Sequence, residues 1–385
     1  MTSSPQRPRL LYVLPYLGTG DSSHMAHVPP LLEALGAHCD IDLLVQRSNG
    51  AVPPLPGVAR VHVQAQGGAL KRVPDLWRMA WRFRRSGGRV VFVRISVSAA
   101  LALVLVAPLL RLKVFYWQSG QSRNFLPSWR SRFPARLRVE LEHLLQRSVI
   151  RLVHRFVTGP ERMAMYYARH FGARGERTVI LYNDVSLARL SIPDRAAARM
   201  EIRRELGLGA DTKVVLFVGR VSPLKGGHHL PALAAAVRTR CPQAVVVALG
   251  TQQVPIDASV AGDALRLLGP RANDALGPWF AGADVFCLPS ESEGFPRVVA
   301  EAMAYALPIV AFDVGGVRDL LPEDAQSWIV PRGDVAAMAD RIIALMDDPA
   351  LHQQTATALR VAVERFDTPR VADMYAARLF ADESP

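Results

Sequence analysis

The sequence predicts an α/β protein of two doubly wound domains, each a parallel sheet covered by helices. Three observations predict it. Short apolar runs alternate with longer helical patterns along the chain, the order that builds parallel sheets. The opening reads strand, glycine-bearing loop, helix, strand, and a similar order returns in the second half. The 385 residues suffice for two domains, and half are hydrophobic, which supports a substantial core and argues against global disorder.

Charge is unevenly placed. The whole chain carries a net +12, but residues 1–190 hold 27 Lys and Arg against 10 Asp and Glu, and residues 191–385 hold 19 against 24. A first half this basic implies an anionic partner: nucleic acid, an anionic membrane face or an anionic acceptor. Cys39, Cys241 and Cys287 are too widely spaced for a disulfide set or metal site and read as small buried hydrophobes, which fits a reducing, cytoplasmic location. Residues 1–9 are polar and show no cleavable signal.

Taken in order, residues 10–14 are a buried strand and residues 15–23 a loop carrying Gly18 and Gly20. A helix begins near Ser22 or Ser23 and ends by Gly36. Pro29-Pro30 forces a break or a late start within it. Residues 41–45 are the second strand. Residues 69–89 are basic and hold Trp77, Trp81 and Phe83, with Leu76, Met79, Ala80 and Phe83 on one helical face. This is either a surface helix with an aromatic face in the core or a basic, aromatic surface for an anionic membrane. No nucleic-acid module accompanies it, so no nucleic-acid partner is expected. Residues 90–93 form the next strand. Residues 95–110 contain no charge, but sixteen residues fall short of the ~20 that span a bilayer, so a buried crossover helix is expected. Residues 114–117 are a strand ending at Gln118. Residues 124–138 are a second basic segment, with Phe125, Trp129 and Phe133. A helix over 139–150, a strand over 156–158, a helix to His170 and a strand ending at Asn183 complete the half.

Residues 191–208 are a linker and a charged helix, and 214–218 open the second sheet. The turn-rich loop 219–227 carries Arg220 and Lys225. At a strand's carboxyl end such a pair can neutralise a diphosphate, although solvated loop charges look the same. His228 and His229 have no third ligand at suitable spacing, so no metal site is expected there. Strands at 244–249 and 265–269 and a short helix at 275–280 precede the apolar run 283–289. Next comes Ser290-Glu291-Ser292-Glu293-Gly294-Phe295-Pro296, leading into a helix with Pro296 in its first turn, where a missing N–H costs nothing. That helix start is an anion site in principle. Glu293 stands before it and Glu301 within it. Glu293 could be a favourable N-terminal acid and Glu301 a partner for Arg297, or both could accept hydrogen bonds from a ligand's hydroxyls. Residues 307–312 are a strand, Gly315-Gly316 punctuate the chain, and a strand at 328–330 and helices at 335–346, 349–365 and 368–381 follow.

Glu293-Gly294-Phe295-Pro296 followed by Glu301-Ala302-Met303-Ala304 resembles the Glu-x7-Glu signature of family 4 retaining glycosyltransferases. Pro308-Ile309-Val310-Ala311, Gly315-Gly316 and the segment from Val218 to Gly226 are similar to that family's other motifs. The resemblance implies the GT-B architecture: two Rossmann-like domains with parallel sheets facing across a cleft. They would be an acceptor-binding domain (1–190), a nucleotide-sugar-binding domain (191–365) and a C-terminal helix (366–385) crossing back to the first.

By the same resemblance, Glu301 would bind ribose hydroxyls and Glu293 the donor sugar, with Gly294, Phe295 and Pro296 lining the donor site. Arg220 and Lys225 would stabilise the departing diphosphate. Gly18 and Gly20 would lie over the donor, and Gly269 and Arg271 near the base. Gln118 stands where many members carry a histidine, and Asn183 is kept from a Pro-Asn-Gly pattern, so both are acceptor-side candidates. No Asp-x-Asp occurs in a plausible loop, so no metal and no cofactor are expected. The implied activity is retaining transfer from a nucleotide-sugar to a saccharide or lipid-linked acceptor, in surface polysaccharide or glycolipid synthesis, with the basic half on an anionic membrane. A nucleotide-sugar epimerase of the same fold, or a non-catalytic membrane-docked scaffold, are the alternatives.

Overall fold

The computed structural model describes residues 7–18, 25, 27–64, 68–120, 133–190 and 193–381. The chain forms two compact units, Met1–Asp184 with Thr368–Pro385, and Val185–Asp367.

The first unit contains, in order, β1 (Arg9–Leu14), α1 (Val28–Leu35), β2 (Asp40–Val45), β3 (Val58–Val63), α2 (Ala69–Arg85), β4 (Val90–Arg94), α3 (Val97–Leu110), β5 (Lys113–Trp117), α4 (Phe133–Leu152), β6 (Arg155–Thr158), α5 (Glu161–Phe171) and β7 (Thr178–Ile180). The strands make one parallel sheet ordered β3-β2-β1-β4-β5-β6-β7. Its central strands are buried on both faces, which is why they read as unbroken apolar runs. α1 starts at Val28 with prolines in its first turn, so Pro29-Pro30 is accommodated by a late start; Ser22 and Ser23 lie outside the described residues.

Two expectations need correcting here. β3 was not anticipated. It is a half-exposed edge strand in which Arg60 and His62 interrupt the apolar pattern. α3 is the expected crossover, yet it is not buried all round. Ala99, Ala100, Ala102 and Leu103 face the core, while Leu105 and Leu109 are 66% and 85% exposed. Its residues are apolar on every side, and the sheet can cover only one side. Among the described residues no helix is long and apolar enough to cross a membrane. Most of the second basic segment, residues 124–132, lies outside the described residues.

The second unit contains α6 (Arg195–Leu206), β8 (Lys213–Val218), α7 (Leu230–Arg240), β9 (Ala244–Leu249), β10 (Leu265–Gly269), α8 (Gly277–Gly282), β11 (Val285–Leu288), α9 (Arg297–Ala304), β12 (Ile309–Phe312), α10 (Val317–Leu320), β13 (Ile329–Val330), α11 (Val335–Asp347) and α12 (Pro349–Ala362). Its sheet is parallel and ordered β10-β9-β8-β11-β12-β13. The base of β11 is anchored by Asp284, whose carboxylate takes hydrogen bonds from Arg199, from Arg203 at 2.8 Å and from the Val214 N–H at 2.7 Å. The last helix, α13 (Thr368–Leu379), belongs to the first unit. Its Val371, Tyr375 and Leu379 join the core that holds Leu31, Leu35 and Phe92.

Candidate active site

In the second unit the winding reverses between β8 and β11. From β8 the chain runs outward to β9 and β10, then returns to begin the other half at β11. Loops after these two strands diverge at their carboxyl ends, and ligands of open α/β sheets bind in that crevice. The loop after β8 carries Arg220 and Lys225; the loop after β11 carries Glu291 to Pro296.

Backbone contacts hold these loops in register. The Glu291 N–H donates to Leu224 O at 2.9 Å, and the Gly316 N–H to Gly294 O at 3.2 Å. Two glycines make the approach possible. Gly226 has φ +72°, and a Cβ there would lie 1.8 Å from Pro289 O. Gly315 has φ +51°, and its Cβ would lie 1.7 Å from Glu293 O. Only a residue without a Cβ fits either place. The paired glycines after β12 are therefore part of the wall behind Glu293.

Across the crevice Lys225 Nζ donates to both Glu293 carboxylate oxygens, at 2.7 and 2.9 Å. The Glu293 side chain is 5% exposed and that of Lys225 25%. Two groups 68 residues apart thus form a nearly buried ion pair at the winding reversal. Arg220 is exposed, and no ion pair to its side chain occurs among the described residues. Pro296 caps α9, whose Val299, Ala300, Ala302 and Met303 are buried. Phe295 is buried edge-on against Phe366, with ring centroids 5.3 Å apart. Glu301 is a quarter exposed, and the nearest Arg297 nitrogen is 3.6 Å away, so it has an electrostatic partner without a hydrogen bond.

His228 and His229 have a third ligating group after all. Glu291 Oε1 lies 2.6 Å from His229 Nε2 and 3.8 Å from His228 Nε2. Ligating atoms of the three all fall within 4.8 Å of one another. Sequence spacing could not show this, because Glu291 is 62 residues from His229. Burial and the neighbouring His229 push the His228 pKa down, against the pull of Glu291, which favours a neutral ring. Arg332 approaches the other Glu291 oxygen to 3.7 Å. Gly269 ends β10 and accepts from the Gly250 N–H at 2.8 Å. The side chain of Arg271 is engaged with Glu205 at 2.6 Å, which leaves its backbone for any role near a base.

The first unit has its own winding reversal, between β1 and β4. Gly18 lies in the loop after β1, and Gly20 lies outside the described residues. Gln118 follows β5 and lines a cavity. Asn183 is 6% exposed, and its Oδ1 accepts from Arg94, a fully buried arginine that sequence reasoning overlooked. Arg94 also donates to Tyr12 Oη at 3.1 Å and lies over the Trp117 ring, 4.1 Å from its centroid. Asn183 therefore helps to hold a buried cation at the end of β4.

Comparison with known proteins gives the following. Residues 212–348 match the family model described as Glycosyl transferases group 1. The chain is 31% identical over 221 residues to the D-inositol 3-phosphate glycosyltransferase of Xylanimonas cellulosilytica, covering 54% of this chain and 53% of that protein. It is 26% identical over 421 residues to the protein of the same name from Streptomyces scabiei, covering 94% and 88%. The chain spans about half the length of the first relatives it matches. Among solved structures, sucrose-phosphate synthase from Thermosynechococcus elongatus superposes with a TM-score of 0.75 at 20% identity, over 98% of this chain and 100% of that one. HepE of Anabaena in complex with UDP-glucose superposes at 0.72 with 18% identity, over 97% and 99%. The fold is GT-B.

Proposed function

We propose that this chain, whose residues 212–348 match the family model described as Glycosyl transferases group 1, is a retaining glycosyltransferase. It moves a sugar from a nucleotide-sugar to a hydroxyl of a saccharide or lipid-linked acceptor without a metal ion. The observation that carries this reading is the Lys225–Glu293 pair, nearly buried at the winding reversal beside the start of α9.

The roles follow from charge and position. Glu301 takes the ribose hydroxyls, because it is partly exposed and bound by no direct hydrogen bond to Arg297. Glu293 accepts from hydroxyls of the donor sugar while Lys225 holds its carboxylate in place. As the glycosidic bond to the diphosphate breaks, negative charge grows on the leaving oxygens. Lys225, exposed Arg220, the backbone of Gly294 and Phe295 and the start of α9 meet that charge. Attraction that strengthens as the charge develops lowers the barrier. The acceptor hydroxyl attacks from the face the diphosphate leaves and gives its proton to the departing diphosphate oxygen, so the anomeric configuration is kept. Glu293 is committed to Lys225 and is no covalent nucleophile.

UDP is the first nucleotide to test, because the HepE neighbour holds UDP-glucose. Relatives named for inositol 3-phosphate support an anionic acceptor, in keeping with the basic first half. That half would work against the cytoplasmic face of an anionic membrane. The deciding experiment incubates the protein with α-linked UDP-, GDP- and ADP-sugars and a lipid-extract acceptor. An α-linked product supports the reading. A β-linked product removes retention, and epimerised donor with no acceptor consumed removes the transferase.

A further inference from the structure

His228, His229 and Glu291 have no part in the transfer chemistry, yet they converge on one point of the second unit. Glu291 Oε1 lies 2.6 Å from His229 Nε2 and 3.8 Å from His228 Nε2. The two imidazoles lie side by side, with ring centroids 3.9 Å apart. A hydrogen bond to Glu291 accounts for His229 alone, because 3.8 Å is beyond hydrogen-bond reach of His228. One carboxylate oxygen thus faces two imidazole nitrogens, and one ligating atom from each of the three residues lies within 4.8 Å of the others. Among the described residues no other three His, Cys, Asp or Glu side chains come together in this way; His38 with Asp373 and His62 with Asp75 are pairs.

The surrounding structure places these side chains before any ion arrives. His228 and His229 end a single 3-10 turn, Gly227–His229, between β8 and α7. The His229 N–H donates to Gly226 O at 2.9 Å, and its ring stands edge-on to Phe312 with centroids 5.3 Å apart. Glu291 comes from the loop after β11 and is fixed by donation from its N–H to Leu224 O at 2.9 Å. A tetrahedral cation with bonds of about 2.0–2.1 Å holds its ligand atoms about 3.3–3.4 Å apart. The separations of 2.6 and 3.8 Å bracket that spacing, so side chains and not backbone must close on the ion. The His228 side chain is half exposed, which gives an ion a way in from solvent. Arg332 approaches Glu291 Oε2 at 3.7 Å and leaves Oε1, the oxygen both histidines face, to the cation. Its charge repels a cation, so micromolar affinity is expected and not the tighter binding of a closed structural site.

We propose that His228, His229 and Glu291 bind a transition-metal dication of the zinc class, with the fourth tetrahedral position left to water. Two imidazoles and one carboxylate suit zinc, nickel, cobalt or copper, whereas magnesium and calcium take oxygen ligands. Lys225 stands three residues before His228, and Glu293 two residues after Glu291. The ion therefore ties together the two loops that carry the Lys225–Glu293 pair, and it stiffens that frame without joining the transfer step. The site stands on these residues alone and does not rest on the transferase reading.

The test uses full-length protein without a histidine tag, stripped with EDTA and desalted. Zn²⁺ is titrated by calorimetry and thermal stability, with Co²⁺ followed by its visible absorption and Mg²⁺ and Ca²⁺ run in parallel. Saturation at one equivalent of Zn²⁺ is expected, with a rise of about 3 °C or more in the melting midpoint when the site is full. Mg²⁺ should bind at least about 100-fold more weakly. His228→Ala, His229→Ala and Glu291→Gln should each weaken Zn²⁺ about tenfold or more. His228→Ala removes a half-exposed side chain, so its metal-free midpoint should stay native and keep the comparison clean. No saturation by Zn²⁺, equal binding of Mg²⁺, or indifference to all three substitutions would overturn the proposal. So would a fall in the metal-free midpoint of Glu291→Gln with no metal-dependent shift in the native protein, which would leave a hydrogen bond and nothing more. Zn²⁺ binding combined with turnover that is lost in EDTA and restored by Zn²⁺ would uphold the site and refute metal-independent transfer, so the two failures are distinguishable.

Discussion

Replacing Glu293 by Gln removes one charge and keeps the shape. At about 2.8 Å and an effective dielectric near 20, the attraction to Lys225 is about 6 kcal/mol gross. Desolvation of both ions consumes most of that, and breaking a fully buried pair costs about 3–5 kcal/mol. Lys225 keeps a quarter of its side chain in water, so its ammonium can rehydrate when its partner is lost. The net loss should settle near 2 kcal/mol, a fall of about 4–8 °C in the melting midpoint of a domain this size. Differential scanning calorimetry reads the midpoint. The double variant Glu293→Gln, Lys225→Met should regain most of the loss, because the cost lies in the unpaired cation. Turnover of the nucleotide-sugar should drop about 100-fold, while affinity for the bare nucleotide diphosphate changes less than about threefold. A midpoint within about one degree of the native protein, with turnover intact, would refute the reasoning.

Other expectations concern the frame around this pair. Gly315→Ala forces a Cβ to within 1.7 Å of Glu293 O at a left-handed φ, so it should cost about 2 kcal/mol or more and lower turnover by displacing Glu293. Native stability and turnover in that variant would contradict the packing described. Asp284→Ala strands Arg203 and Arg199 at the base of β11 and should cost about 3–5 kcal/mol in urea unfolding, with m unchanged. Turnover should survive EDTA, because the cationic pair does the electrostatic work; loss restored by Mg²⁺ or Mn²⁺ would contradict this, and the His228–His229–Glu291 cluster would become the first place to look.

What the sequence made legible was local. β8, β11 and β12 are buried on both faces, so their apolar runs are unbroken. Glu293 and Glu301 sit on one loop-helix unit, so their spacing is visible without a fold. What stayed hidden depends on residues far apart in the chain. The partner of Lys225 is 68 residues away, and the glycine that lets Glu293 sit where it does comes from beyond β12. Arg94 follows the apolar run 90–93, and its sequence neighbours give no sign that it is buried. Tyr12, Asn183 and the Trp117 ring allow it to be buried instead. β3 was missed because an edge strand is half wet and shows no clean period. α3 misled in the opposite way, being apolar where the fold leaves it exposed.

The most direct test of the central claim is thermal stabilisation by UDP, GDP and ADP and their sugar conjugates, with the native protein and Glu301→Ala side by side. A ligand at about 100 times its Kd adds about 2.7 kcal/mol to the native state, a shift easily resolved. One nucleotide family should stabilise the native protein, and Glu301→Ala should lose most of that shift while remaining folded. Equal stabilisation of both proteins would remove Glu301 from the donor site. No shift with any of the nucleotides would contradict the account as a whole.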